Sequence, residues 1–249
     1  MMFVFDLRPS DSPYVERIWT ARNERGGEFL SVAAARGELV VSRYQGQLSM
    51  TVRGPETHMT TADCPSDGEW LGIRFKPGTF LPQFLPGTLR DRNDLTLPDA
   101  STRSFWLGGS AWEYPTFENA DTFVARLLAK GLLTRDPIVD AVLRGEINPD
   151  TNTDTLSRRS AQRHFLRATG ITHALFRQIE RARHAAILLQ EGVSIADVVH
   201  AARYFDQPHL TRSLKQLIGQ TPTEVARMTR QLSLLYKTTP PPRRDNPAI

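Results

Sequence analysis

The sequence predicts an α+β protein, in which a β-rich N-terminal domain of barrel or sandwich type precedes an all-helical C-terminal domain. In the first part of the chain, apolar residues come in short runs separated by turn residues, whereas after residue 135 they recur at helical spacing. The charge changes in the same way. Residues 1–134 carry 14 Lys and Arg against 16 Asp and Glu, a net charge of −2, while residues 135–249 carry 17 against 11, a net charge of +6.

These patterns predict three segments. A β-rich domain with a terminal helix spans residues 1–134, a helical domain spans residues 135–230, and residues 231–249, with three consecutive prolines followed by two arginines, form a flexible tail. The excess of positive charge suggests that the helical domain faces a polyanion, with nucleic acid as the leading candidate. Arginines that only solubilise a helical surface would give the same net charge. The position of the charges on the helices therefore has to distinguish a polyanion-binding surface from a solvated one.

Several kinds of function lack the residues they require. The single cysteine, Cys64, excludes an internal disulfide and a zinc site built on paired cysteines, and His58 is the only histidine before His164. The chain also has no Gly-rich phosphate loop and no G-x-S-x-G element. We therefore expect no catalytic residues, no metal and no cofactor, and we do not predict an enzyme. The sequence contains neither a long apolar run nor an N-terminal segment that resembles a secretion signal, so we expect a cytoplasmic protein without a membrane contact.

The N-terminal half contains short runs of β-forming residues that are separated by Gly, Pro, Asn or Asp. The clearest predicted strands are 14–21, 39–44, 47–52 and 70–75. We interpret residues 95–115 as loop-like and residues 117–133 as a helix.

Aromatic residues are concentrated in this half, which contains all four tryptophans. One hypothesis is an effector pocket lined by Trp19, Trp70 and Phe75, because ligand pockets are concave and mostly apolar. The alternative is an aromatic core, which is the simpler explanation because large aromatic side chains dominate core burial.

The C-terminal half shows a series of capped helices. Asp136 and Pro137 begin a short helix over 138–146, and Ser157 begins another that ends at Gly170. In this second helix, apolar side chains cluster on one side and Arg159 and Arg163 lie nearly opposite. A longer apolar-faced helix over 173–191 follows.

The end of this region has the pattern of a helix-turn-helix. Ser194 caps a short helix that ends near Arg203, and Asp206 caps the next helix, which ends at Gly219. Its apolar residues recur at i, i+4 and i+8, which leaves Gln207, His209, Arg212 and Lys215 pointing outward. Arginine can bond guanine and glutamine can bond adenine in the major groove, while Thr211 and Lys215 suit phosphate contacts.

Residues 156–227 resemble the AraC-type transcriptional regulator family. The resemblance lies in LSRRSAQRHFLRATG, RARHAAILLQEGVSIADVV and YFDQPHLTRSLKQLIGQTPTEV. It implies two helix-turn-helix units, joined by a long helix, that place their recognition helices in successive major-groove segments of duplex DNA. The candidate DNA-binding residues are Arg158, Arg159, Gln162 and Arg163 in the first unit and Gln207, Pro208, His209, Thr211, Arg212 and Lys215 in the second.

The segment GEWLGIRFKPG, residues 68–78, is similar to the β-rich sensor domain attached to some of these regulators. This similarity implies a small-molecule effector and a homodimer, although no residue identifies the ligand. We therefore expect a sequence-specific DNA-binding transcriptional regulator. The alternative is a small-molecule-binding β-barrel protein whose helical half contacts a protein partner.

Two features depart from the family pattern. Arg203 stands where a glycine is usual in the second unit, and a left-handed backbone there would cost about 1 kcal/mol. The stretch 147–155 is too polar to be the usual first helix and too long to be the usual turn. We expect the helix over 138–146 to support the first unit from a greater distance.

Overall fold

The structure, a computed structural model, describes residues 3–23, 26–91, 95–149 and 157–227. Within these ranges, strands predominate in the N-terminal part and helices in the C-terminal part, which confirms the predicted α+β class. The predicted tail, residues 231–249, lies outside the described residues. None of the helices that the structure describes combines the length and the apolar composition of a membrane-spanning segment.

Thirteen strands are described, and their bounds confirm the four strands predicted from sequence. They are β1 (Phe3–Arg8), β2 (Val15–Asn23), β3 (Gly27–Ser31), β4 (Glu38–Tyr44), β5 (Gln47–Arg53), β6 (Thr60–Cys64), β7 (Gly68–Phe75), β8 (Thr79–Phe80), β9 (Leu95–Thr96), β10 (Asp99–Ser101), β11 (Ser104–Leu107), β12 (Ser110–Glu113) and β13 (Thr134–Arg135).

The helices follow the predicted order, with α2 shorter than the helix expected over 117–133. They are α1 (Pro86–Leu89), α2 (Ala120–Ala129), α3 (Pro137–Arg144), α4 (Arg158–Thr169), α5 (His173–Gln190), α6 (Ile195–Ala201), α7 (Gln207–Leu217) and α8 (Pro222–Ala226).

The largest sheet is antiparallel and has the strand order β1-β2-β7-β4-β5-β9. Its outer strands, β1 and β9, do not pair with each other, and β9 contributes only two residues. The described strands therefore form open sheets and close no barrel, so the barrel form of the prediction is wrong.

Residues 95–115 are not the loop that we expected from sequence. They contain β9 and the three-stranded meander β10-β11-β12, whose strands are too short to show an alternating pattern. Gly108 and Gly109 connect β11 to β12 with φ values of 56° and 76°. Two successive positive φ angles are typical of a type I′ turn, which explains the pair of glycines.

Two apolar cores stabilise the molecule. In the first, one face of the main sheet, including Ile18, Leu39 and Ile73, packs with buried residues of the meander and α2. The second core lies among the C-terminal helices but also includes Leu30 and Phe80 from the strand-rich part. The helical part thus completes its core with side chains from the N-terminal half.

Candidate nucleic-acid interface

Helix α7 is positioned by its N-cap and by its buried face. The Asp206 side chain accepts a hydrogen bond from the His209 N–H at 2.7 Å, which satisfies one of the free amides of the first turn. Leu210 and Leu214 are fully buried in the second core. The opposite face of α7 is consequently fixed toward solvent.

The exposed face of α7 carries most of the residues predicted for the second unit. Gln207, Pro208, Arg212 and Lys215 are exposed, while Thr211 is half-buried. Pro208, Arg212 and Lys215 follow i, i+4, i+7 spacing and so share one side of the helix. Arg212 and Lys215 therefore present two cations on one side of α7, and Gln207 adds an exposed amide in the first turn, which are groups that can bond base edges or phosphates in a major groove.

The turn before α7 contains an arginine, Arg203, whose backbone is in the left-handed conformation. Arg203 has a φ of 55°, the N–H of Arg203 donates to the His200 carbonyl at 3.0 Å, and the N–H of Tyr204 donates to the Val199 carbonyl at 2.8 Å. This pair of bonds is the Schellman pattern that ends a helix. Gly192 occupies the same position after α5, with a φ of 85°. The left-handed turn at Arg203 that the sequence suggested is present.

His209 is placed differently from the prediction. Its ring is half-buried and meets the Tyr204 ring edge-on, with centroids 5.1 Å apart. The Tyr204 hydroxyl lies 3.0 Å from the Ser213 hydroxyl, and the Arg181 guanidinium lies 4.6 Å above the Tyr204 ring. His209 thus helps to fix the turn and is less available to a ligand than its outward position in the sequence pattern implied.

Helix α4 is built in the same way as α7. Ser157 is its N-cap and accepts from the Ser160 N–H at 3.3 Å, and Ala161 and Phe165 are buried. The four residues predicted to contact DNA from this helix are all exposed: Arg158, Arg159, Gln162 and Arg163. Leu166 is also 45% exposed and lies among them, which the sequence pattern did not indicate.

The correspondence between α4 and α7 extends beyond their caps. Each helix is followed by a left-handed glycine, Gly170 or Gly219, and then by a threonine that caps the next helix, Thr172 or Thr221. At the same offset, Arg163 corresponds to Arg212 and Leu166 to Lys215. The chain therefore contains two structurally similar units with different exposed residues.

Helix α3 supports the first unit, as the sequence suggested. Val139 and Val142 enter the same core as Phe165, and Asp136 lies 2.8 Å from Nδ1 of His164 on α4. The two helices are joined by a long connection, of which residues 150–156 lie outside the described residues. The short connection that usually precedes a recognition helix is thus replaced by a longer one.

The N-terminal part contacts the C-terminal ends of both candidate DNA-binding helices. The Ala33 N–H donates to the Leu217 carbonyl of α7 at 2.8 Å, and a Cβ at Gly219 would lie 2.9 Å from the terminal methyl of Met59. A Cβ at Gly170 would lie 2.6 Å from the carbonyl carbon of Pro86 in α1. The strand-rich part therefore contacts α4 and α7 at their C-terminal ends and leaves their N-terminal turns exposed.

A partly buried ion pair also links the strand-rich part to α5. Nη1 and Nη2 of Arg36 donate to the two carboxylate oxygens of Glu180 at 2.5 and 2.8 Å, and Nε of Arg36 contacts Glu16. Burial alone would raise the pKa of Glu180, but the charge and hydrogen bonds of Arg36 outweigh it and lower that pKa. The long helix between the two units is thereby tied to the sheet.

Arg183, one turn further along α5, is a buried cation beside this pair. Its side chain is 3% exposed and Nε lies 3.9 Å from Glu180, whereas Nη1 and Nη2 have no hydrogen-bond partner among the described residues. Burial lowers the pKa of Arg183 to about 10, helped by the nearby positive charges of Arg36 and Arg74. The guanidinium is still charged at neutral pH and is poorly compensated.

The structure does not bring together the three residues of the hypothetical effector pocket. Side chains alternate along β7, so Trp70 and Phe75 fall on opposite faces of the sheet, and Phe75 is in the first core. Trp19 pairs with Gly72, covers it, and donates to Glu38 at 3.3 Å. A cleft of about 1050 Å³ lies elsewhere on the sheet, and Trp70 is the only one of the three among its lining residues.

Comparison with known proteins adds the family of this region. Residues 155–228 match the family model described as a helix-turn-helix domain, which defines the C-terminal part as a DNA-binding module. The matched model is the AraC-type helix-turn-helix, as the sequence resemblance implied. Searches of curated proteins and of solved structures found no match. A domain of this kind is regulatory and not catalytic. The match therefore supports the assignment of the protein as a DNA-binding transcription regulator.

Proposed function

We propose that the protein is a sequence-specific transcriptional regulator that binds duplex DNA through the exposed faces of α4 and α7. The observation that supports this most directly is the arrangement of α7, which presents Gln207 and Arg212 to solvent from its capped first two turns and Lys215 from its last turn, while Leu210 and Leu214 anchor the helix. A rigid helix with this face fits the major groove.

The exposed side chains divide by the chemistry they can perform. Arg212 suits a two-point contact with guanine O6 and N7, and Gln207 suits one with adenine. Lys215 and Thr211 would position the helix on phosphates, and Pro208 would contact the groove through its apolar ring. In the first unit, Arg159, Gln162 and Arg163 would read bases or phosphates, with Arg158 at the start of the helix.

A small-molecule effector completes the proposal. The cleft of about 1050 Å³ lies between the main sheet and the segment after β12, and its volume is sufficient for a small molecule. Apolar side chains such as Val41 and Leu71 form part of its wall, and Arg22 pairs with Glu69 across 2.9 Å beside them. A ligand with an apolar body and a polar end would fit this lining.

Homodimer formation through the strand-rich part belongs to the same proposal. Val4 and Leu7 are exposed on β1, an outer strand of the main sheet. An outer strand with exposed apolar side chains can pair with a second copy. Sedimentation of the full chain and of a Leu7→Lys variant tests this, because Leu7 does not line the cleft and the variant should shift a dimer toward monomer.

Selection of bound duplexes from a random pool by the full chain tests the DNA-binding proposal. We expect enrichment of a defined sequence and a steep loss of affinity with rising salt, since phosphate contacts release counterions. A protein-interaction module with a solvated arginine surface would enrich no sequence. That outcome would favour the alternative of a small-molecule-binding protein with a helical partner surface.

A further inference from the structure

Phe205 is the large apolar side chain with the highest exposure among the described residues. It is 91% exposed, whereas the next values are 47% for Val4 and Trp106. It immediately precedes Asp206, the N-cap of α7, and so lies at the start of the face proposed to enter DNA. A ligand that covered this aromatic ring would gain free energy from its burial.

The backbone on both sides of Phe205 is fixed. On one side, Tyr204 is buried, its N–H donates to Val199, and its ring is enclosed by His209 and Arg181. On the other side, Asp206 accepts from the His209 N–H at 2.7 Å. The exposed ring is therefore displayed by an ordered turn and does not belong to a loose loop.

Among the residues that the structure describes, local packing leaves this ring exposed. A residue immediately before an N-cap often packs against the fourth residue of the helix, which here is Leu210. Leu210 is fully buried by other side chains, while Phe205 stays in solvent. The helix start is thus complete without Phe205.

The surroundings of Phe205 favour DNA over an apolar protein partner. The exposed residues that follow or precede Phe205 most closely include Arg203 and Gln207, and Arg212 is exposed in the second turn of α7, so two positive charges and one amide accompany the ring. An apolar protein partner would have to desolvate these cations, whereas DNA would neutralise them. In the major groove, the apolar group that an aromatic side chain can contact is the C5-methyl of thymine.

We propose that Phe205 determines specificity by packing on the methyl group of a thymine at the edge of the segment contacted by α7. This inference rests on the proposed DNA-binding function and adds a contact to it. It predicts that the second unit prefers thymine at one position of the duplex and that hydrogen bonds from α7 do not account for this preference.

The test combines protein and DNA changes that remove the two partners separately. A duplex selected by the full chain is prepared with each thymine replaced in turn by deoxyuridine, which lacks only the methyl group. At one position we expect the wild-type protein to lose about fourfold in affinity, the value of one buried methyl group. Phe205→Ala should bind thymine and deoxyuridine equally at that position, and Phe205→Leu should retain part of the preference.

Trp106→Ala is the matched control, because Trp106 is an exposed aromatic residue on β11. Its DNA affinity should equal that of the wild type at every position. Since Phe205 is almost fully exposed, Phe205→Ala should also keep the wild-type unfolding midpoint, so weaker binding would not reflect a lost fold.

Three other outcomes would each contradict the proposal, and each would lead to a different conclusion. If Phe205→Ala bound every duplex as the wild type does, Phe205 would not contact DNA. If it bound more weakly but kept the same sensitivity to deoxyuridine, another residue would contact the methyl group. If the wild type selected no duplex at all, the DNA-binding function itself would be wrong.

Discussion

Arg36 and Glu180 form a two-point ion pair although they lie 144 residues apart in the chain. Arg36 follows the strand-rich segment that enters the second core, and Glu180 lies on α5, the helix that connects the two units. The pair therefore joins the strand-rich part to the centre of the DNA-binding region. Breaking it should affect the stability of both.

We expect Glu180→Gln to destabilise the protein by about 2 kcal/mol, less than the cost of breaking a fully buried pair, because Glu180 keeps some contact with solvent. The folded state lowers the pKa of Glu180, so its contribution is complete above the unfolded pKa of about 4.3 and is lost as the pH falls through the folded value. Urea unfolding at several pH values measures this, and the variant should lose less stability on acidification.

Glu146→Gln is the control for this prediction. Glu146 accepts a hydrogen bond from Arg144 at 2.5 Å, but both side chains are exposed, so the change should have little effect on stability. Equal losses in the two variants would show that the Arg36–Glu180 pair has no special role at the junction.

Arg183→Met should leave stability unchanged or raise it. Methionine matches the length of the arginine stem, and the change removes a buried charge whose terminal nitrogens lack hydrogen-bond partners in the described structure. Thermal unfolding of this variant can be compared with Arg36→Met, which should be clearly destabilising. A large loss of stability for Arg183→Met would mean that the guanidinium has compensating contacts.

Arg203→Gly should stabilise the C-terminal region by about 0.5–1 kcal/mol, because glycine adopts a left-handed backbone without the steric penalty of a side chain. Arg203→Ala removes the same side chain but retains a Cβ, so it should bring no such gain. Denaturant unfolding of both variants separates backbone strain from loss of charge. A drop in stability for Arg203→Gly would contradict the strain argument.

Gly170→Ala should be much more destabilising than Gly192→Ala. Both glycines end helices with positive φ, so each alanine carries a backbone cost of about 1 kcal/mol. A Cβ at Gly170 would also press against the backbone of Pro86 and Gly87, at 2.6 and 2.7 Å, while a Cβ at Gly192 would meet no described residue within 4 Å. We expect a total loss of about 2–4 kcal/mol at Gly170. Similar unfolding midpoints would show that α1 does not press on α4.

Local signals were sufficient to predict most helices of the C-terminal half. Ser157, Ser194 and Asp206 each act as the N-cap that the sequence suggested, because capping involves residues only a few positions apart. The left-handed turn at Arg203 was suggested by the family resemblance, which implies a position where glycine is usual.

Features that depend on distant contacts were not predictable in this way. The placement of Trp70 and Phe75 on opposite faces is an exception, because it follows from the alternation of side chains along the predicted strand 70–75 and contradicts a pocket that both would line. The packing of His209 on Tyr204 depends on the shape of the turn, and the pair of Arg36 with Glu180 depends on how the two halves meet. The short strands around Gly108 gave too few residues for an alternating pattern.

The affinity of Arg212→Ala for a selected duplex and for a scrambled duplex tests the central claim most directly. If α7 lies in the major groove, the variant should lose about 1–3 kcal/mol on the selected duplex and much less on the scrambled one, so that discrimination between them falls. Lys215→Ala should instead weaken both duplexes alike. An Arg212→Ala variant that keeps full affinity and full discrimination would contradict the assignment of α7 as a recognition helix.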